Sequence, residues 1–378
     1  MYISLLLLSL QKKEIMKKRI AWITADYFVD VDIPIVPHLT SEYEVEWYII
    51  QGFDRKISVP EITADCNIYK RRIPYRRRNP KCISFYADIA KQIKKFAPDV
   101  IYVDAMEVPY MYPVLDFYLP TAKMVHATHN VASYAGWHNR RLSQMYLSYV
   151  FGRHKHFHLF SQHARAEFEA MYSGKHIMYT PLSLKDYGTP TAGVVPAEDK
   201  VCFLFFGNVR QNKRLDVMLQ AFAKLPDDVQ RRVHVSVLGS CDNVPYYQAM
   251  IDKLKCSVTF TPNRIADEEV ADIFARHHYL VLPYENVTQS GPHMIAYNYG
   301  MPVIATRIDG FTEHVTDGVD GFLFEVNDVD SLAEVLMKTV SLSQQEYVAV
   351  CENLKKTIAQ KYSSESILAE YKRFFETI

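Results

Sequence analysis

VCFLFFGNVRQNKRLDVMLQAF, Val201 to Phe222, is a continuous apolar and aromatic run, a glycine turn, a basic loop and an amphipathic stretch. The run to Phe206 reads as a strand buried on both faces, as in a parallel sheet, and a helix is expected from near Leu215. Downstream the pattern recurs, with strands predicted at Val233–Leu238, Ser257–Phe260, Tyr279–Pro283 and Pro302–Thr306. Upstream it recurs again, at Arg19–Thr24, Glu44–Ile49, Val100–Val103, Lys123–Thr128 and His156–Phe160, with helices expected at Ile83–Phe96 and Ala164–Met171. Strands alternating with helices indicate parallel α/β sheets, and here there are two.

Residues 183–199, SLKDYGTPTAGVVPAED, have no hydrophobic period and carry proline and glycine punctuation, as a linker does. The expected organisation is a first Rossmann-like domain over 16–182, a second over 200–361, and 362–378 returning to the first. Helical patterns at Gln344–Gln360 and Glu365–Thr377 follow the last predicted strand, so the final helix needs another surface to cover. A chain of 378 residues has ample length for two cores.

Lys and Arg number 43, as do Asp and Glu, which argues against nucleic acid as a partner of the whole chain. No G-x-G-x-x-G and no P-loop motif occurs, which disfavours dehydrogenases and P-loop kinases. The six cysteines form no C-x-x-C pair and read as reduced thiols of a cytoplasmic protein. MYISLLLLSL at the start is too short to span a bilayer and reads as an extension upstream of Met16.

Open α/β sheets bind ligands beyond the carboxyl ends of their strands. After the Val201–Phe206 strand, Gly207 ends the run and the loop delivers Arg210, Lys213 and Arg214, cations suited to a diphosphate. After Tyr279–Pro283 comes YENVTQSGPHMIAYNYG, with Ser290 and Gly291 at N-cap positions and Pro292 at the first helical position. Free N–H groups there favour an anion, and the two loops together favour a phosphate-bearing ligand.

FFGNVRQNKRLDVMLQAF, NRIADEEVADIF, VLPYENVTQSGPHMIAYNYGMPVIATRIDG and TEHVTDGVDGFLFEVND resemble the donor domain of the retaining glycosyltransferases of family 4. KFAPDVIYVD and HATHN carry a thinner likeness in the first half. The resemblance implies the GT-B fold, two Rossmann-like domains facing a cleft, and a sugar moved from a nucleoside-diphosphate donor to a glycan or lipid-linked acceptor. Surface-polysaccharide synthesis is the setting expected by analogy. By position it puts Arg210 and Lys213 on the donor diphosphate, with Gly207, Gln289, Ser290 and Gly291 on the donor. Arg264 falls beside the nucleobase and His129 by the transferred sugar. It requires neither cofactor nor metal.

The chain departs from that pattern where two glutamates are usual: Val287 and Ile295 stand there. Asp309-Gly310 likewise replaces a glycine pair before Glu313. That departure prompts a second reading, a catalytically silent glycosyltransferase-like partner subunit; a third, a nucleotide-sugar epimerase, rests on the same two-domain architecture and is disfavoured by the absence of paired carboxylates near the cleft. His154, His156 and His158 would share one face of a strand, as ordinary strand histidines or as metal ligands. Lys70 to Lys81, KRRIPYRRRNPK, holds seven cations and no acid. It reads either as a solvated loop or as a patch for an anionic membrane surface or the phosphates of a lipid-linked acceptor, on the inner face of the plasma membrane.

Overall fold

The computed structural model describes residues 17–55, 62–107, 109–131, 140–197 and 199–378. The reading of MYISLLLLSL falls outside them. Two wholly parallel sheets organise the chain. The first contains β1 (Arg19–Ala25), β2 (Glu44–Gln51), β3 (Asn67–Arg72), β4 (Val100–Asp104), β5 (Met124–Thr128), β6 (His156–Leu159) and β7 (His176–Tyr179), in the order β3-β2-β1-β4-β5-β6-β7. The second contains β8 (Val201–Phe206), β9 (Val233–Leu238), β10 (Ser257–Thr261), β11 (Tyr279–Leu282), β12 (Val303–Thr306) and β13 (Phe322–Phe324), in the order β10-β9-β8-β11-β12-β13.

Burial on both faces explains the apolar runs. In β1, Ala21, Ile23 and Ala25 pack on the side of helix α1 (Cys82–Phe96), and Ile20 and Trp22 on the opposite side. In β8, Phe203 and Phe205 face the core over α2 (Leu215–Lys224), and Leu204 faces the other way. Three strands unforeseen in the sequence, β3, β7 and β13, are all edge strands. Each lacks a strong signal for its own reason. β3 is polar and largely exposed, with cations that guard an edge against further pairing, while β7 has four residues and β13 three.

The basic stretch is therefore two structures. Lys70, Arg71 and Arg72 belong to β3, while Arg76 to Lys81 form the turn into α1. The last helix, α3 (Ser364–Phe375), returns to the first sheet, burying Ile367, Tyr371, Phe374 and Phe375 against Trp22, Trp47 and Tyr102. The three histidines do not form one cluster. His158 bonds Tyr102 and Thr180 at 2.6 and 2.8 Å, His156 faces His176 at 3.0 Å, and His154 lies before the strand beside Asp116. Among the described residues no group of three metal-ligating side chains converges.

Each sheet reverses its winding once, between β1 and β4 and between β8 and β11. Those are the switch points where an open sheet leaves a crevice beyond its strand ends.

Candidate functional site at the two switch points

In the second sheet the crevice is shaped by backbone. Gly207 ends β8 at φ 98°, a left-handed value that favours glycine, and the Cβ of any other residue would lie 3.2 Å from Lys213 Nζ and 3.6 Å from Pro292 Cγ. Gly207, Lys213 and the start of helix α4 (Gly291–Asn298) thus share one space. A 3₁₀ turn over Gln211–Lys213 aims the lysine inward, and its ammonium lies 5.2 Å from the Tyr284 ring centre. Burial, and then the charge of Arg210, lower the Lys213 pKa to about 8. The cation is held where it is poorly solvated, so an anion beside it would be bound strongly.

Arg210 is exposed and has no acidic partner among the described residues. Arg214, expected beside it, is turned away: at φ 47° it immediately precedes α2 and pairs with Asp216 at 2.9 Å and with Asn327. Ser290 caps α4 by accepting from His293 N–H at 3.4 Å, and Gly291 rather than Pro292 is the first helical residue. A Cβ on Gly291 would lie 3.3 Å from Lys185 Nζ. Lys185 reaches the helix start from the segment between the sheets and pairs with Asp30 of the first domain. No local pattern marks Lys185 in the sequence; only the return of the chain past α4 puts it there.

Val287 and Ile295, where the resemblance places glutamates, take structural roles. Ile295 is 3% exposed within the second domain's apolar core. The carbonyl of Val287 lies against Gly310, where a Cβ would collide with it. Asp309 pairs with His163 across the domains at 3.0 Å, and Glu313 accepts from the Gln162 N–H at 2.8 Å. Arg264 stands apart, 3.6 Å from Asp267 beyond the outer strand β10, and does not join the Lys213 cluster.

The crevice of the first sheet is made of side chains. Asp104 ends β4, is fully buried, and lies 2.8 Å from Nε2 of His129, which follows β5. The imidazole is sandwiched between Phe28 and Phe160, with ring centres 3.8 and 4.5 Å away and planes 15° and 16° apart. Asp32 is also buried, and its pKa is raised by burial and then by the charge of Asp104.

The two crevices meet. His129 Nδ1 is 3.1 Å from Gln289 Oε1, and the Thr288 hydroxyl donates to Asn130 Oδ1 at 3.3 Å. With Asp104 taking the Nε2 proton, Nδ1 donates to Gln289 only as an imidazolium. Turning the Gln289 amide over would instead let its NH₂ donate to Nδ1 and would give the buried, unpartnered Gln289 Nε2 a partner. A cavity of about 810 Å³ opens from His129 and Asn130 into the first domain.

The described residues therefore bring together Gly207, Lys213, Ser290 and Gly291, and join Gln289 to His129. Asp104, Phe28, Phe160 and Lys185 were not foreseen, because each enters through tertiary packing.

Residues 200–341 match the family described as glycosyl transferases group 1. The N-acetyl-alpha-D-glucosaminyl L-malate synthase of Bacillus anthracis is 22% identical over 193 residues, covering 50% of this chain and 47% of that enzyme. The chain spans less than half the length of the curated relatives it matches first. Among solved structures, the sucrose-phosphate synthase tll1590 of Thermosynechococcus elongatus is similar with a TM-score of 0.76 at 14% identity, covering 96% of this chain and 99% of that one. Anabaena Alr3699/HepE, solved with UDP and glucose, is similar with a TM-score of 0.70 at 13% identity over 96% and 100% of the two chains. At such identities the shared property is the fold, two Rossmann-like domains in the GT-B arrangement.

Proposed function

We propose that this chain, with a group 1 glycosyltransferase match over residues 200–341 and a GT-B fold, is a glycosyltransferase moving a sugar from a nucleoside diphosphate to a glycan or lipid-linked acceptor. The observation that carries the reading is the convergence of Gly207, Lys213 and the start of α4 at one switch point, with His129 opposite across Gln289. Breaking the bond between the anomeric carbon and the diphosphate oxygen leaves negative charge on the departing diphosphate. Lys213, Arg210 and the first N–H groups of α4 are fixed dipoles and cations that stabilise it without reorganising. The scheme needs no metal ion, because these groups balance the charge. His129, fixed by Asp104 and two phenyl rings, approaches the sugar, and retention of configuration follows from the resemblance to family 4.

Lys185 is a third cation for the same anion, available when it leaves Asp30. Arg264 is positioned for the base end of the donor, farther from the diphosphate. No helix among the described residues is long and apolar enough to cross a membrane. From the scattered, unpaired cysteines we place the enzyme in the cytoplasm, at most peripheral to the membrane.

The packing of Val287 and Ile295 favours one second reading, a silent subunit with this fold. Donor and acceptor screening with Lys213→Ala separates the two. The enzyme reading predicts product from the wild type and almost none from the variant; product formation that survives the substitution contradicts it.

A further inference from the structure

Arg76, Arg77 and Arg78 line the same cavity of about 810 Å³ that opens from His129 and Asn130. All three are exposed, and Asp54 is the one carboxylate among the described lining residues. Arg77 lies 4.0 Å from the buried carboxylate of Glu107, and together with Arg55, which bonds both Glu107 and Asp26, it balances those two carboxylates. Arg76 and Arg78 have no acidic partner among the described residues. The wall thus carries uncompensated guanidinium charge, in the residue type that best grips several oxygens of one anion.

The remaining walls suit a polyhydroxylated body. Phe53 is 42% exposed and presents aromatic surface at the cavity, whereas Tyr27 also lines it with the Arg55 guanidinium 4.6 Å over its ring. His126 also lines it, buried and kept neutral, because burial and then the neighbouring His154 and His156 lower its pKa. The Tyr112 hydroxyl donates to the Ala105 carbonyl at 3.1 Å, so at 2.9 Å it accepts the proton on His126 Nδ1. That leaves Nε2 as an unpartnered acceptor. A ligand with hydroxyls at one end and an anion at the other matches this lining.

We infer that the acceptor is a phosphate ester of a saccharide or polyol, its phosphate held by Arg76 and Arg78 and its hydroxyl end directed to His129. The acceptor role rests on the glycosyl-transfer reading; the phosphate subsite is tested without turnover. The phosphate can belong to a soluble sugar phosphate or to a lipid phosphodiester.

Titration calorimetry with glucose 6-phosphate and with glucose, and flotation with phosphatidylglycerol and with phosphatidylcholine vesicles, are run on the wild type and on Arg76→Ser/Arg78→Ser. Both substituted positions are exposed, and equal melting temperatures verify that the variant folds. In at least one arm the phosphate-bearing probe should bind about tenfold or more tighter than its partner without net charge, and the double variant should lose that preference. Preference for glucose 6-phosphate identifies a soluble acceptor. Vesicle binding that glucose 6-phosphate does not displace identifies a lipid phosphate. The inference is overturned if neither arm shows a preference, or if the double variant keeps it. A separate titration of the wild type with nucleoside diphosphates reports on the donor reading, so the two can fail independently.

Discussion

The two switch points solve the same problem with different materials. At β8 and β11 the crevice is lined by backbone, by a left-handed glycine and the free N–H groups of a capped helix, with Lys213 and Lys185 on either side. At β1 and β4 it is lined by side chains, a buried carboxylate, a histidine pressed between two phenyl rings and a cavity wall of arginines. Backbone amides read any diphosphate alike, whereas side chains can be exchanged one at a time. The first arrangement suits a common donor group, and the second a particular acceptor.

The largest expected effect tests the backbone-lined crevice. Lys213→Ala should lower turnover on the order of 10² to 10³-fold in a product assay, with no loss of melting temperature, because the lysine's burial opposes its charge. A modest drop would mean that the diphosphate is held elsewhere. Asp104→Asn tests the other crevice, where the carboxylate acts through His129. Steady-state kinetics should show kcat reduced about tenfold or more with the donor KM little changed. A loss of kcat matched by a lower melting temperature and a smaller active fraction would make Asp104 a folding residue only.

The pH dependence sharpens the contrast, because it concerns Lys213 alone. A bound diphosphate raises the pKa of Lys213 above its ligand-free value of about 8, so binding takes up a proton at higher pH. For a nucleotide sugar, whose doubly esterified diphosphate does not titrate in this range, affinity should be flat below about pH 7 and fall by up to about tenfold per pH unit above pH 8, with proton uptake visible by calorimetry in buffers of different ionisation heat. In the ligand-free protein the unfolded chain holds this proton more tightly. The group's contribution to stability therefore improves as pH rises from about 8 towards 10.5. Affinity that does not change across that range would remove Lys213 from the site.

The smallest effect belongs to the residue that joins the halves. Lys185→Ala should weaken nucleoside-diphosphate binding about fivefold, and Asp30→Asn, which frees the lysine, should tighten it. The same direction for both would show that the ion pair only holds the domains together.

What could be foreseen in the sequence divides along the same line. Strands buried on both faces were legible as apolar runs, and the Gly207 turn and Ser290 cap were legible because turn and cap chemistry is local. The edge strand β3 was hidden by its own charge. Arg214 follows Lys213 directly, yet its left-handed backbone turns it towards Asp216, which no spacing rule anticipates. Asp104, Phe28 and Phe160 meet His129 only because β1, β4, β5 and β6 lie where the sheet order puts them. Ile295 reads as a missing carboxylate in one dimension and as a core residue in three.

Melting curves with UDP, GDP, ADP and dTDP, each in EDTA, for wild type and Lys213→Ala, test the donor site most directly. At a concentration ~100 times the dissociation constant, a bound nucleotide adds about 2.7 kcal/mol to stability. The structure leads us to expect that one base raises the wild-type melting temperature in EDTA and that Lys213→Ala loses most of the shift. No shift with any nucleotide, or the same shift in the variant, would contradict a diphosphate site at the start of α4.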